Sequence, residues 1–186
     1  MTRRPQRPQG KRPPERPSDY EERIADISRV VTVVKGGRRF SFRTVVVVGD
    51  LKGIVGVGIG RARSVPDSLK KAGERARQNL KKVPLLGTTI PHEITTEFGG
   101  AKVFMKPASP GTGLVAGGGM RAVLECAGVK DVLSKSQGSN NTLNVVNATM
   151  AALLTMKRPE DVALLRGKDV SQVSPVWARK RAEQNG

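Results

Sequence analysis

Two runs of β-branched and aromatic residues, ISRVVTVV and RFSFRTVVVV, flank Lys35-Gly36-Gly37-Arg38, and a third run, IVGVGIG, follows. A glycine pair between such runs predicts a hairpin with a type I′ turn, because both central residues of that turn need φ > 0. At a period of two, Phe40, Phe42, Thr44, Val46 and Val48 share one face of the second strand. Arg39, Ser41 and Arg43 point the other way before Val45 and Val47, which predicts one core face and one partly open face. In the third strand Gly56, Gly58 and Gly60 leave one side bare, so another element can pack very close there. Val65, Leu69, Ala72, Ala76, Leu80 and Val83 then follow a period of 3.6 and predict a helix from Val65 to about Val83. Lys70, Lys71, Arg75, Arg77, Lys81 and Lys82 occupy its opposite half, and Ser64 and Pro66 suit its N-terminus. Tyr20 to Ala25 reads as a short helix ahead of the strands.

Pro84 to Gly87 interrupts the pattern and is taken as a domain boundary. Beyond it, an extended pair around Thr88 to Thr96 and Ala101 to Lys106 is joined through Phe98-Gly99-Gly100. The loop PASPGTGLVAGGG leads into a helix with Met120, Val123, Leu124 and Ala127 as its apolar stripe and Gly128 as its stop. Val129 to Lys135 reads as a strand. Asn140 or Asn141 caps a helix burying Leu143, Val146, Met150, Leu153 and Leu154, and Pro159 opens a last helix ending at Gly167. The chain is thus expected to be α+β. A three-stranded antiparallel sheet plus helix spans 19–84, a small α/β sandwich spans 85–168, and tails span 1–18 and 169–186.

A net charge of +17 on 186 residues, with a pI near 10.9, points to a polyanion. The first tail places Arg3, Arg4, Arg7, Lys11, Arg12 and Arg16 among five prolines, which reads as an extended basic arm; Trp177 and Arg179-Lys180-Arg181 lie in the second. The single cysteine, Cys126, allows no internal disulfide and suits a reducing cytosol. No apolar run reaches the roughly 20 residues of a membrane span, and no secretory leader stands at the start. Aromatic residues make up only 3%, and Phe40 and Phe42 read as core, so contacts are expected to be with phosphates and sugars of folded RNA recognised by shape.

Catalytic and cofactor readings find little support. Gly56-x-Gly58-x-Gly60 lacks the spacing of a dinucleotide fingerprint, and Asn79 and Leu80 stand where the ribose acid belongs. Gly113 to Gly119 resembles a phosphate-cradling loop, yet Gly119-Met120 replaces the lysine and hydroxyl of a Walker motif. Backbone amides there suit an RNA phosphate or a close-packed protein contact equally. His92 and Cys126 make no metal cluster, and Glu93, Glu97, Glu125 and Asp131 read as solvated partners of the more numerous cations. No catalytic residue, metal or cofactor is expected.

KGGRRFSF at Lys35 to Phe42, VGDLKGIVGVGIGRARSVPDSLKKA at Val48 to Ala72, VFMKPASPGTGLVAGGGMRAVLECAGV at Val103 to Val129 and LNVVNAT at Leu143 to Thr149 together resemble bacterial small-subunit ribosomal protein five. Lys70-Lys71-Ala72 at the helix start also makes the first domain similar to a double-stranded-RNA-binding domain. The resemblance implies a non-enzymatic protein of the cytoplasmic ribosome that binds small-subunit ribosomal RNA of the 16S type. It implies that the hairpin Arg29 to Arg38 reaches the neck of that RNA, near the spectinomycin site, and that Arg61 and Arg63 lie beside the messenger path. Arg29, Lys35, Gly36, Gly37, Arg38, Arg39, Lys52, Arg61, Arg63, Lys70 and Lys71 are the RNA-binding candidates. The segment Gly111 to Arg121, with Gly111, Gly113, Gly117, Gly118 and Arg121, would abut ribosomal protein four at an interface tied to decoding accuracy, with ribosomal protein eight touching the second domain. A free regulator that binds duplex RNA and a nucleotide-dependent enzyme are the competing classes.

Overall fold

The computed structural model describes residues 20–173. The basic arm at 1–18, together with Trp177 and Arg179-Lys180-Arg181, lies outside the described residues. An antiparallel sheet comes first, in the order β1 (Glu21–Val34), β2 (Gly37–Gly49), β3 (Ile54–Ala62) and β4 (Lys81–Lys82), with α1 (Val65–Gln78) between the last two strands. A second sheet runs β5 (Ile94–Phe98), β6 (Ala101–Pro107), β8 (Val132–Gly138), β7 (Leu114–Val115), with only β7 and β8 parallel. Helices α2 (Gly118–Ala127), α3 (Thr142–Thr155), α4 (Pro159–Arg166) and α5 (Val170–Val173) complete it. The fold is α+β, as the patterning predicts.

Three local readings are corrected. Glu21 to Ala25 is strand rather than helix: Glu21 to Ile24 pair with Gly49 to Val46, and a ladder with a fixed partner outweighs one costly helical turn. The register then shifts at Ala25, which turns inward onto the core. Helix α1 stops at Asn79, whose N–H reaches the carbonyls of Arg75 and Ala76, well before Val83. Lys81 and Lys82 instead pair with Val55 and Ile54, making the sheet four-stranded rather than three-stranded, and the Val83 N–H donates to the Gly53 carbonyl at 2.8 Å. At the hairpin, Val34 pairs with Gly37, so Lys35 and Gly36 form the tip; only Gly37 needs positive φ, at 131°. The turn is therefore not the type I′ glycine pair.

The four valines Val45 to Val48 are all buried, so this part of β2 has no open face. Val46 and Val48 pack with Ala72 and Ala76 of α1. Val45, Val47 and Val55 of β3 join the core built by α2, α3 and the second sheet. Helix α1 lies on the bare stripe of β3: a Cβ at Gly56, Gly58 or Gly60 would fall 2.3, 2.1 or 1.9 Å from the carbonyl oxygen of Ala76, Ala72 or Ser68. The glycines therefore serve helix–sheet packing, and Ser64 caps the helix by accepting the Asp67 N–H at 3.3 Å.

A second close approach joins the two sheets. Cys126 and Ala127, at the end of α2, have carbonyls without intrahelical partners; they accept the N–H groups of Leu51 and Gly53 from the β2–β3 loop at 3.1 and 3.0 Å. A Cβ at Gly49 would sit 2.1 Å from the Cys126 oxygen, and one at Gly128 would sit 2.0 Å from the Leu51 oxygen. Leu51 itself takes φ 59°, and the Asp50 carboxylate fixes the loop by accepting the Lys52 and Ile54 N–H groups, each at 2.8 Å.

The two hairpin glycines should separate cleanly. Replacing Gly37 with valine should cost about 1–3 kcal/mol, because a side chain is forced into a backbone region nearly reserved for glycine. Gly36→Ala, in open space without that constraint, should be neutral or stabilising by less than about 1 kcal/mol. Urea unfolding of both variants against the parent chain checks this; equal losses would refute the assignment of the strained position.

Candidate nucleic-acid interface

The hairpin outruns α1. Beyond Thr44 toward the tip, the α1-side face of the sheet carries Phe42, Phe40 and Arg38 with their β1 partners Arg29, Val31 and Val33. The Arg29 guanidinium carbon lies 3.9 Å from the centroid of the Phe40 ring. Phe42 is half-buried and Phe40 is exposed, so the expectation that both are core is corrected for Phe40. Among the described residues no helix reaches this far, and the ring is covered by a cation instead.

The opposite face of the same hairpin is polar and basic. Arg39 pairs with Thr32, Ser41 with Val30, and Arg43 with both Ser28 and Arg61. Arg61 Nε donates to Ser41 Oγ at 2.9 Å and Arg61 Nη2 donates to Thr32 Oγ1, so this guanidinium crosses β2 to reach β1. Arg43 Nε donates to Ser28 Oγ at 3.3 Å. Hydroxyls, rather than carboxylates, hold these cations in place. Their charge is oriented but not neutralised, the condition under which a polyanion gains most from displacing counterions.

Most other candidates lie at the tip or on the α1 side of the sheet, Arg29 and Arg38 among them, rather than on this face. Lys35, Gly36, Gly37 and Arg38 form the exposed tip, and Arg63 follows the end of β3. Lys70 and Lys71 lie on the exposed side of α1, away from the sheet. Lys52 sits in the β2–β3 loop, at the other end of strands about 40 Å long, so it is not part of the same surface. Ion pairs among the described residues engage Arg23, Arg77 and Lys102, and Arg75 donates to the Ile59 carbonyl at 2.7 Å. Of the six cations on the predicted helix half, Arg75 and Arg77 thus tie α1 to the sheet, and Lys81 and Lys82 belong to the sheet itself. Arg43, which the period of two already puts on the face of Arg39, is missing from the candidate set; its place opposite Arg61 follows from register, which is not legible before pairing is known.

The glycine loop ahead of α2 is tied down from below. Asp131 is buried and accepts the N–H groups of Gly111 and Gly113 at 2.9 and 3.0 Å, which corrects its reading as a solvated partner of a surface cation. Glu97 makes an exposed pair with Lys102, and the half-buried Glu125 pairs with Arg23 at 3.7 Å. Gly111 and Gly113 have φ of 90° and 81°. Gly117 caps α2 without a side chain, Gly117 and Gly118 are exposed, and Arg121 Nη2 donates to the Leu114 carbonyl at 3.4 Å. Gly111 and Gly113 thus share the Asp131 anchor, and Arg121 reaches back from α2 to the carbonyl beside Gly113.

The remaining reactive groups are spoken for. Burial, reinforced by Glu21, pushes the Cys126 thiol up to about 12, and its Sγ sits 3.7 Å from the Val47 carbonyl oxygen. His92 Nε2 accepts the Lys157 N–H at 3.2 Å, while Nδ1 lies 2.8 Å from the Glu93 carbonyl.

Two family models match the chain. Residues 20–84 match the ribosomal protein S5 N-terminal domain, and residues 96–166 match the ribosomal protein S5 C-terminal domain.

The Gly113 amide, followed by the Thr88 side chain, holds the Asp131 carboxyl below its ordinary 3.8. A depressed native pKa stabilises the fold above the unfolded-state value and loses that contribution as pH falls through the native one, here below about 4. At neutral pH, Asp131→Ala should therefore speed amide exchange at Gly111 and Gly113, and below that window the parent chain should approach the variant. Equal exchange in the two proteins at neutral pH would remove Asp131 as the anchor of the loop.

Proposed function

The chain belongs to the ribosomal protein S5 family, and we propose that it places folded ribosomal RNA against the Arg39–Arg43–Arg61 face of its hairpin while α2 presents a protein-docking surface. As a member of that family it is a structural, RNA-binding protein of the small ribosomal subunit, not an enzyme, and it works in the cytoplasmic ribosome. The observation that carries the finer reading is the arginine face itself, with cations oriented by Ser28, Thr32 and Ser41 and without a carboxylate partner among the described residues.

On this reading Arg29, Lys35, Arg38, Arg39, Arg61 and Arg63 contact phosphates around the tip and the end of β3, with Arg43 added to them. Lys70 and Lys71 contact a second stretch of backbone from α1. Gly36 and Gly37 keep the tip small enough to enter a narrow groove. Lys52 serves a separate contact at the far end of the sheet. Arg61 and Arg63 border the messenger entry path, and the surface of Gly111, Gly113, Gly117, Gly118 and Arg121 meets ribosomal protein four, with protein eight on the second half of the chain. Space around Gly117 and Gly118 supports the protein contact, since nothing lies within 4 Å of an added Cβ at either position. Decoding accuracy would depend on this surface because α2 joins it directly to the RNA-binding sheet.

The test is the salt dependence of binding to a fragment of small-subunit RNA. Arg43→Gln and Arg61→Gln should each weaken binding and lower the slope of log affinity against log salt by about 1, whereas Lys52→Gln should leave that fragment's slope unchanged. An unchanged slope in both arginine variants would refute the face. Equal competition by an unrelated duplex would favour the free duplex-RNA regulator.

A further inference from the structure

The two faces of the hairpin differ in chemistry. On the α1 side, register sets Phe42 beside Arg29, Phe40 beside Val31 and Arg38 beside Val33, so cations and apolar groups share one face beyond the end of α1. Phe40 is 48% and Val33 75% accessible, and Val31 is exposed between them. The Arg29 guanidinium carbon stands 3.9 Å from the centroid of the Phe40 ring, which is contact distance between two planar groups. Neither Arg29 nor Arg38 has an acidic partner among the described residues. An aromatic ring outside the core, paired with a guanidinium, is the one feature of the hairpin that phosphate binding does not use.

We propose that this face is a stacking platform for an unpaired base of the ribosomal RNA. The base lies on the Arg29–Phe40 pair, its ribose rests on Val31 and Val33, and Arg38 and Lys35 hold the flanking phosphates. This inference rests on the RNA reading above and deepens it, moving Arg29 from a phosphate to a base. A nucleotide mixes flat apolar surface with negative charge, as this face mixes apolar groups with cations. Aromatic rings and guanidinium planes both stack on bases. A phosphate backbone alone would leave Phe40, Val31 and Val33 against water, and a paired base is shut inside its own stack. The nucleotide therefore comes from a loop or bulge of the folded RNA. An apolar protein segment would bury Arg29 and Arg38 without counter-charge. The chain's own first 18 residues bring six more cations, and a second copy would bring a further +17. One hairpin thus holds two parts of one RNA, phosphates on the side of Arg39, Arg43 and Arg61 and a base on the side of Phe40.

The experiment measures binding of the full chain to three synthetic RNA hairpins: one with a single bulged adenosine, the same hairpin made abasic at that nucleotide, and a fully paired one. The bulged hairpin should bind about tenfold more tightly than the abasic one, the order expected for stacking one base on an aromatic platform. Phe40→Leu keeps an apolar side chain at an exposed position and should abolish that preference. It should leave the affinity for the abasic and fully paired hairpins unchanged, and the salt slope on all three, because no phosphate contact is lost. Phe40→Tyr should keep the preference, and Arg29→Lys, which retains the charge without the plane, should weaken it. Arg61→Gln should lower the salt slope and spare the preference, so failure here and failure of the RNA face are distinguishable. Equal affinity of the parent chain for the bulged and abasic hairpins would overturn the proposal. So would a preference that survives Phe40→Leu, a loss of affinity for the fully paired hairpin in that variant, or an RNA-free dimer of the parent chain that Phe40→Leu abolishes.

Discussion

The last two carbonyls of α2, those of Cys126 and Ala127, are left over by its C-cap, which takes up the carbonyls of Leu124 and Glu125. They are satisfied by the amides of a loop from the first half of the chain, through backbone contacts so close that residues 49 and 128 must be glycine. This contact brings Val45, Val47 and Val55 of the first sheet into one core with Met120, Val123 and Leu124 of α2. Separating the halves would expose that apolar surface and strand the α2 carbonyls at once. What sequence punctuation suggests are two units are packed as one body.

That packing gives the functional surfaces their geometry. Helix α2 begins at the exposed glycines Gly117 and Gly118 and ends against the loop that closes β2 and β3. It therefore joins the proposed docking surface to the sheet whose far end carries the arginines. On the other side of the sheet, α1 is seated on glycine backbone and pinned by Arg75 and by the Arg77–Glu22 ion pair. Buried on both faces at its base, the sheet can hold its distal hairpin out as a stiff, two-faced blade.

Most of the strands and helices were legible because local signals agreed: the Ser64 and Asn141 caps, the Gly128 and Gly167 stops and the glycine stripe of β3 all do in the structure what their chemistry dictates. The failures share one cause, which is contact from outside the local window. Glu21 to Ala25 have no strand signal until β2 supplies partners, and Lys81 and Lys82 leave the helical period because β3 offers an edge. The unbroken run Val45 to Val48 did carry the missing clue, since strands buried on both faces read as continuous apolar runs rather than alternating ones. For the RNA face, the arginines were visible as a composition but their grouping was not. Arg43 and Arg61 meet only through register, and Phe40 is exposed only because α1 ends where it does.

Native-state hydrogen exchange on the full chain tests the one-body account most directly. The amides of Val47 in β2, Val103 in β6 and Leu153 in α3 should exchange through a single opening, with the same free energy and the same dependence on denaturant, and those of Leu51 and Gly53 should open only with it. A lower-energy opening that releases Val47, Leu51 and Gly53 while Val103 and Leu153 stay protected would contradict the account, and α2 would then not join the proposed docking surface and the RNA face in one body.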